Sequence, residues 1–238
     1  MDKQQVKFED WGNIDYKSAW DRQEKILLSN VEIKSEARRN QPEYNPLLLP
    51  TEHYLICCEH PSVYTLGKSG DINNVLLSDS ELSEHGIEFY RTNRGGDITF
   101  HGAGQIVGYP ILDLEKFKTD IGLYLRNIEE VIIQTIGEYG IKGERSEGET
   151  GVWIDNQIKG QERKICAIGV RCSRWITMHG FALNVNTDLQ YFGNIIPCGI
   201  QNKKVTSIQA ELGNAVSEEE VKEKLKRNFE KVFEVNLI

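Results

Sequence analysis

Apolar and polar positions along this chain recur with two different periods, and the switches between them mark its elements. A short alternation near Val6 to Glu9 predicts a strand. Asp15 then precedes Tyr16, Ala19, Trp20, Gln23 and Leu27 at helical spacing, which predicts a capped amphipathic helix. From Ser35 to Pro50 charge, Asn and prolines mix without a period, so residues 35–50 are expected to form a surface-loop insert. Short apolar runs at Tyr54 to Cys58, Ile87 to Tyr90 and Gln105 to Leu112 predict strands. The period lengthens again after Asp120, where Ile121, Leu125, Ile128, Ile132, Thr135 and Tyr139 line one face of a helix that Gly140 can end. Gly151 to Gly160 predicts a hairpin turning at Asp155 to Gln157, and KICAIGVR and WITMHGFALNV predict two further strands. Ser217 with Glu220 forms a capping box before Val221, Leu225, Phe229 and Val232, the apolar stripe of a C-terminal helix. Strands and helices mix without regular βαβ alternation. The fold class expected is therefore α/β of the α+β kind, one domain over residues 1–238 with a mixed sheet covered by helices.

Composition narrows the function. At 238 residues the chain can bury a sizeable core, and its five cysteines at irregular spacing behind a polar N-terminus suggest a reducing, cytoplasmic compartment. No apolar run is long enough to span a bilayer, and a net charge of −8 argues against sequence-independent nucleic-acid binding.

Candidate chemistry starts at IIPCGI, where Cys198 lies between a proline and a glycine, neighbours that disfavour regular helix or central strand and leave a thiol on a turn. A free cysteine packed as a small apolar residue is the plain alternative. An ordinary thiol is only slightly ionised at neutral pH, so a nucleophilic Cys198 needs a nearby cation or base. Lys164, leading into KICAIG, is the candidate, with Arg163 its competitor and a solvated strand end the bland reading. His101 in RGGDITFHGAGQ and His179 in MHGF are both followed by glycine, and either can be a proton carrier or a satisfied structural histidine. Neither GxxxxGK[ST] nor GxGxxG opens a helix after a strand, so a phosphate-binding loop is not supported. Cys57, Cys58 and His60 lack a second ligand pair, and apolar packing accounts for these cysteines and for Cys166 and Cys172; no metal or cofactor is expected.

Taken in order, EHPSVYTLG from Glu59, RGGDITFHGAGQ from Arg94, KICAIG from Lys164, WITMHGFALNV from Trp175 and IIPCGI from Ile195 resemble the lipoyl(octanoyl) transferase family across most of the chain. The resemblance implies a fold like the catalytic domains of lipoate ligases and biotin protein ligases. It implies an acyltransferase that moves octanoyl from octanoyl-acyl carrier protein to a lysine on lipoyl domains of 2-oxoacid dehydrogenases or the glycine cleavage H protein. Carried over by position, it makes Cys198 the acyl-thioester nucleophile and Lys164 the partner that lowers its pKa and moves protons. Substrate contacts then fall on Arg94, Gly95, Gly96, Asp97, Ile98, Thr99, Phe100 and His101, on Ala167, Ile168 and Gly169, and on Gly180, Phe181 and Ala182. Phe181 and Ile168 are expected to line an acyl channel worth about 0.8 kcal/mol per buried CH₂. Because acyl carrier proteins are acidic and this chain is too, Lys203 and Lys204 are the expected local basic patch, against the alternative of two solvated lysines. Rival functions are an ATP-dependent lipoate or biotin ligase, and a non-catalytic acyl or lipoyl-domain binding protein on the same fold.

Overall fold

The strand pattern of the sequence has to resolve into sheets whose two faces are both covered, because Leu55, Ile56, Cys57 and Cys58 are consecutive and all fully buried. The computed structural model describes residues 3–41, 43–196 and 204–238. Its elements are β1 (Gln5–Asn13), α1 (Tyr16–Asn40), β2 (Tyr54–Glu59), β3 (Val63–Leu66), α2 (Asp79–Glu84), β4 (Glu88–Arg91), β5 (Ile98–His101), β6 (Gln105–Ile111), α3 (Ile121–Gly137), β7 (Val152–Ile154), β8 (Arg163–Ser173), β9 (Ile176–Asn184), β10 (Lys204–Val205), α4 (Ile208–Leu212), α5 (Glu218–Phe233) and β11 (Asn236–Leu237).

Among the described residues the strands form an eight-stranded mixed sheet, ordered β10-β8-β9-β6-β2-β1-β11 with β7 also on β8, and a three-stranded sheet ordered β4-β3-β5. β2, β6, β9 and β8 run antiparallel in succession, whereas β1 lies parallel to β2 and β10 parallel to β8. The expected mixed sheet covered by helices is what the chain forms.

Alternation along the strands sends side chains to opposite faces. On one face Leu55, Cys57, Ile106, Leu183 and Cys166 pack with α3 and α5 through Ile128, Ile132, Leu225 and Phe229. On the other face Ile56, Cys58, Val107, Tyr109 and Ala182 meet Ala19 and Leu27 of α1. The small sheet has its own core, where Tyr64, Leu66, Ile98 and Phe100 close on Leu82 of α2 and Ile195.

The helix signals read from the sequence are met by capping geometry: Asp15 accepts from the Ser18 N–H at 2.8 Å, Asp120 from the Leu123 N–H at 2.9 Å, and Ser217 from the Glu220 N–H at 3.3 Å. One expectation is corrected. The region 35–50 does not begin as a loop, because α1 continues to Asn40 before a short 3₁₀ turn at Pro46–Leu48. The buried stripe of α1 turns polar just before that region: Asn30 is fixed by hydrogen bonds to both backbone groups of Glu52, and Lys34 pairs with the buried Asp113 at 2.6 Å. A stripe made of Asn and Lys carries no apolar period, although the helix is packed along it.

Candidate active site

A cavity of about 650 Å³ opens where the small sheet approaches the β8 side of the large one. Its floor comes from alternate residues of adjacent strands: Gln105, Val107 and Tyr109 of β6, Gly180, Ala182 and Asn184 of β9, and Ala167 and Gly169 of β8. Glycine is needed at the centre of this floor. A Cβ at Gly180 would lie 2.1 Å from the Gly108 carbonyl oxygen, and one at Gly169 would lie 2.7 Å from that of Gly95. Gly169 and Gly180 are also directly paired across β8 and β9, so this stretch of sheet presents backbone rather than side chains.

The roof is the segment from Arg94 to His101, and its residues hold one another. Arg94 is buried; its guanidinium donates to the Thr65 carbonyl at 2.6 Å, to the Thr65 hydroxyl at 2.9 Å and to the Gly95 carbonyl at 3.0 Å. Gly95 in turn donates its N–H to the Val170 carbonyl at 2.9 Å, which ties the glycine loop to the edge of β8. Arg94, Gly95, Gly96, Asp97, Ile98, Thr99 and His101 all line the cavity. Phe100 is the exception within this loop, because alternation along β5 turns it onto the small sheet's core, where it stacks on Tyr191 at a centroid distance of 4.6 Å.

The two histidines followed by glycine are both buried and both neutral. The Gln105 Oε1 can only accept, so His101 donates from Nδ1 at 2.8 Å, and its Nε2 is left to accept from the Thr65 hydroxyl at 3.3 Å. Burial, with His60 and Arg94 close by, holds its pKa well below the ordinary imidazole value. His179 donates to the Asn93 Oδ1 at 2.7 Å, and burial followed by the charges of Arg94 and Arg171 pushes its pKa down to about 3. With its accepting nitrogen already engaged and its proton affinity this low, His101 is built to orient rather than to take a proton at neutral pH. Its ring lies over Tyr16 of α1 at 5.8 Å and 14°.

Lys164 stands at the cavity wall with Ala167, Ile168 and Gly169 further along the same strand. Its ammonium lies 3.4 Å from the Thr150 carbonyl and 4.5 Å from the centre of the Trp153 ring, two contacts that suit a cation. Arg163 does not compete for this place. It turns away into a double-pronged pair with Glu211, both contacts 2.6 Å, and a further one to Asp155 at 2.6 Å. Cys198 and Lys203 lie outside the described residues. The chain is seen entering that segment at Ile196, whose N–H donates to the Asn74 carbonyl, and leaving it at β10, where Val205 pairs with Lys164 and Lys204 is exposed. Cys57 and Cys58 pack on opposite faces of the large sheet, and burial pushes both thiols up, Cys57 to about 12.

Sequence reasoning named Ala167, Gly169, Gly180 and Ala182 of the floor but missed its β6 side and the back of the cavity. Gln105, Tyr109 and Asn184 are gathered by the β6–β9 part of the sheet, and Tyr16 is brought to them by the start of α1. Gln105 is the hinge of that group, donating to the Phe100 carbonyl at 3.1 Å and the Asn184 Oδ1 at 2.9 Å while accepting from His101.

The fold is shared with solved lipoate ligases. The chain superposes on the bipartite lipoate protein ligase of Thermoplasma acidophilum with a TM-score of 0.70 at 15% identity, covering 99% of this chain and 86% of that one. A lipoate-protein ligase A bound with ATP gives 0.64 at 16% identity, covering 100% and 90%. Residues 16–230 match the model of the lipoyl protein ligase A/B catalytic domain. Relatives named octanoyltransferase are far more similar in sequence. The one from Flavobacterium johnsoniae is 56% identical over 234 residues, 98% of each chain, and that of Cytophaga hutchinsonii is 51% identical over 232 residues, 98% of this chain and 94% of its own. The protein is thus an acyltransferase of the lipoyl ligase A/B class, and it belongs to the octanoyltransferase family. Among the described residues no helix is long and apolar enough to cross a membrane.

Proposed function

We propose that this chain transfers an octanoyl group from octanoyl-acyl carrier protein to a lysine of a lipoyl domain, through a thioester on Cys198. The observation that carries the reading is the placement of Lys164. Its ammonium sits at the wall of a cavity whose floor combines glycines and apolar side chains with Gln105, Tyr109 and Asn184, and its strand partner Val205 is seven positions beyond Cys198 in the chain. Relatives named octanoyltransferase at 56% identity supply the acyl group.

In the first half-reaction the Cys198 thiolate, favoured by the Lys164 ammonium, attacks the octanoyl thioester. The new C–S bond forms as the bond to the carrier breaks, and the carrier thiolate takes its proton from Lys164. In the second half the neutral amine of the acceptor lysine attacks the octanoyl-Cys198 carbonyl. The C–N bond forms, the amine proton passes to the now neutral Lys164, and the Cys198 thiolate is restored beside an ammonium. An amide replaces a thioester, so no nucleotide is consumed. Developing negative charge on the carbonyl oxygen needs N–H donors, and the backbone of the glycine loop and of Ala167 to Gly169 borders the cavity. His101 and His179 hold these walls in place. Lys203 and Lys204 follow Cys198 closely in the chain and are the cations offered to an acidic carrier.

Intact mass after brief incubation with octanoyl-acyl carrier protein, without acceptor, tests the reading. Wild type should gain one octanoyl group and Cys198→Ala none, with Lys164→Ala slowed by about 10²–10⁴-fold. A wild-type protein that never gains the adduct and links free octanoate to a lipoyl domain only with ATP present would be a ligase instead.

A further inference from the structure

A glutamate in the buried stripe of a helix needs an explanation. Glu129 of α3 is fully buried between Ile128 and Val131, in a stripe whose other members are apolar apart from Thr135 and the Tyr124 hydroxyl. A carboxylate there is costly unless cations and N–H groups replace its water. Its Oε2 accepts from Arg126 at 2.6 Å and from Arg145 at 3.2 Å, and both arginines keep contact with solvent. Its Oε1 accepts from the N–H of Gly151 at 3.1 Å. The two donors other than Arg126 belong to one loop: Arg145 begins the segment that crosses to β7, and Gly151 ends it.

That segment bears on Lys164. Gly151 has φ +129°, and a Cβ there would lie 2.6 Å from the Cys166 carbonyl oxygen and 3.4 Å from the Lys164 Cε, so its backbone is pressed against the lysine stem. The preceding residue, Thr150, gives its carbonyl to the Lys164 ammonium, and Trp153 two residues on lies under the same group. Gly148, Glu149 and Thr150 are themselves part of the cavity wall. We infer that Glu129, which does not reach the cavity, is a positioning residue: it clamps the loop from Arg145 to Gly151 and thereby fixes where Lys164 presents its ammonium. The inference rests on the proposed role of Lys164, and its test separates the two.

Lys164 is acetylated with limiting acetic anhydride and quantified by peptide mass spectrometry against the exposed Lys159, in wild type, Glu129→Ala, Glu129→Gln and Gly151→Ala. Amide exchange at Gly151 and the rate of octanoyl loading are followed in the same proteins. Glu129→Ala should raise the Lys164 to Lys159 ratio about fivefold and speed Gly151 exchange by at least as much. Loading should slow about tenfold while KM for the carrier stays within about twofold, since an interaction felt only through Lys164 affects the chemical step. Glu129→Gln keeps an acceptor for the Gly151 N–H and should fall between wild type and Glu129→Ala. A folded Glu129→Ala with wild-type acetylation and wild-type exchange overturns the clamp, whatever Lys164 does. If Lys164→Ala loads octanoyl as fast as wild type, the proposed role of Lys164 fails, yet acetylation and exchange still decide whether Glu129 places it. Should Glu129→Ala not fold, Glu129→Gln and Gly151→Ala make the same comparison, and wild-type values in both overturn the inference.

Discussion

The two faces of the large sheet are built from different materials. Against α3 and α5 the sheet presents aliphatic and aromatic side chains in continuous contact, and Phe229 stacks on Phe233 at 4.4 Å. Against α1 it presents a smaller apolar layer that includes Ile56, Val107 and Met178, and toward the small sheet glycines and tyrosines, with buried histidines around them held by hydrogen bonds; His60 donates to the Ile14 carbonyl and accepts from the Tyr109 hydroxyl, both at 2.7 Å. A packed apolar layer gains stability from every methylene, whereas the second layer leaves space and spends buried polar groups on holding that space open. The difference teaches that apolar packing is concentrated on one face and the cavity on the other, with the proposed Glu129 clamp a link between them.

The largest effect expected from that division is on the helical face. Phe229→Ala, at a residue 1% exposed, should cost about 3–5 kcal/mol in denaturant unfolding, with kcat per folded molecule unchanged. A loss of kcat in the folded fraction would show the faces to be coupled.

On the site face, acid should do what truncation does on the other. His179 titrates at about 3 in the folded chain and His101 well below its ordinary value, while both bind protons near pH 6.5 once unfolded. Below about pH 6.5 the unfolded state therefore holds more protons, so stability is fully present above that pH and is lost as pH falls toward the folded values. Each such histidine contributes a slope of up to about 1.4 kcal/mol per pH unit. Between pH 6.5 and pH 4.5, His179→Gln should flatten the fall in stability by about 2–3 kcal/mol. An unchanged profile would mean that the imidazole does not stay neutral.

A smaller, purely functional change is expected from Ala182→Val, which adds two methyl groups to the cavity floor. Octanoyl transfer should fall relative to hexanoyl transfer by roughly 1–2 kcal/mol in kcat/KM, with stability changed by less. Smallest is Ser217→Ala at the start of α5, worth about 1 kcal/mol of stability and nothing in activity.

What could be read from the sequence follows the same division. α3 and α5 were legible because their apolar stripes are continuous and their caps, Asp120 and Ser217, are of the usual kind. The far half of α1 was hidden by Asn30 and Lys34, and β3 and β5 are four-residue strands whose pairing with each other decides that they are strands at all. In the cavity, the glycine loop and Lys164 stood out as short local motifs. Tyr16, Tyr109 and Asn184 did not, since a tyrosine or asparagine has no local pattern that announces a shared cavity; nor did Glu129, which reads from sequence as one more charge on a helix.

β10 has a consequence for how this protein reaches its working form. β8 and β9 meet across a turn of two residues, Arg174 and Trp175, so that hairpin closes early, whereas Val205 joins Lys164 only after the intervening β9 and the segment beyond it have been laid down. A refolding chain is thus expected to recover its sheet signal in far-UV circular dichroism before it recovers octanoyl transfer. For an interval it is a folded protein whose sheet edge beside Lys164 is unfinished.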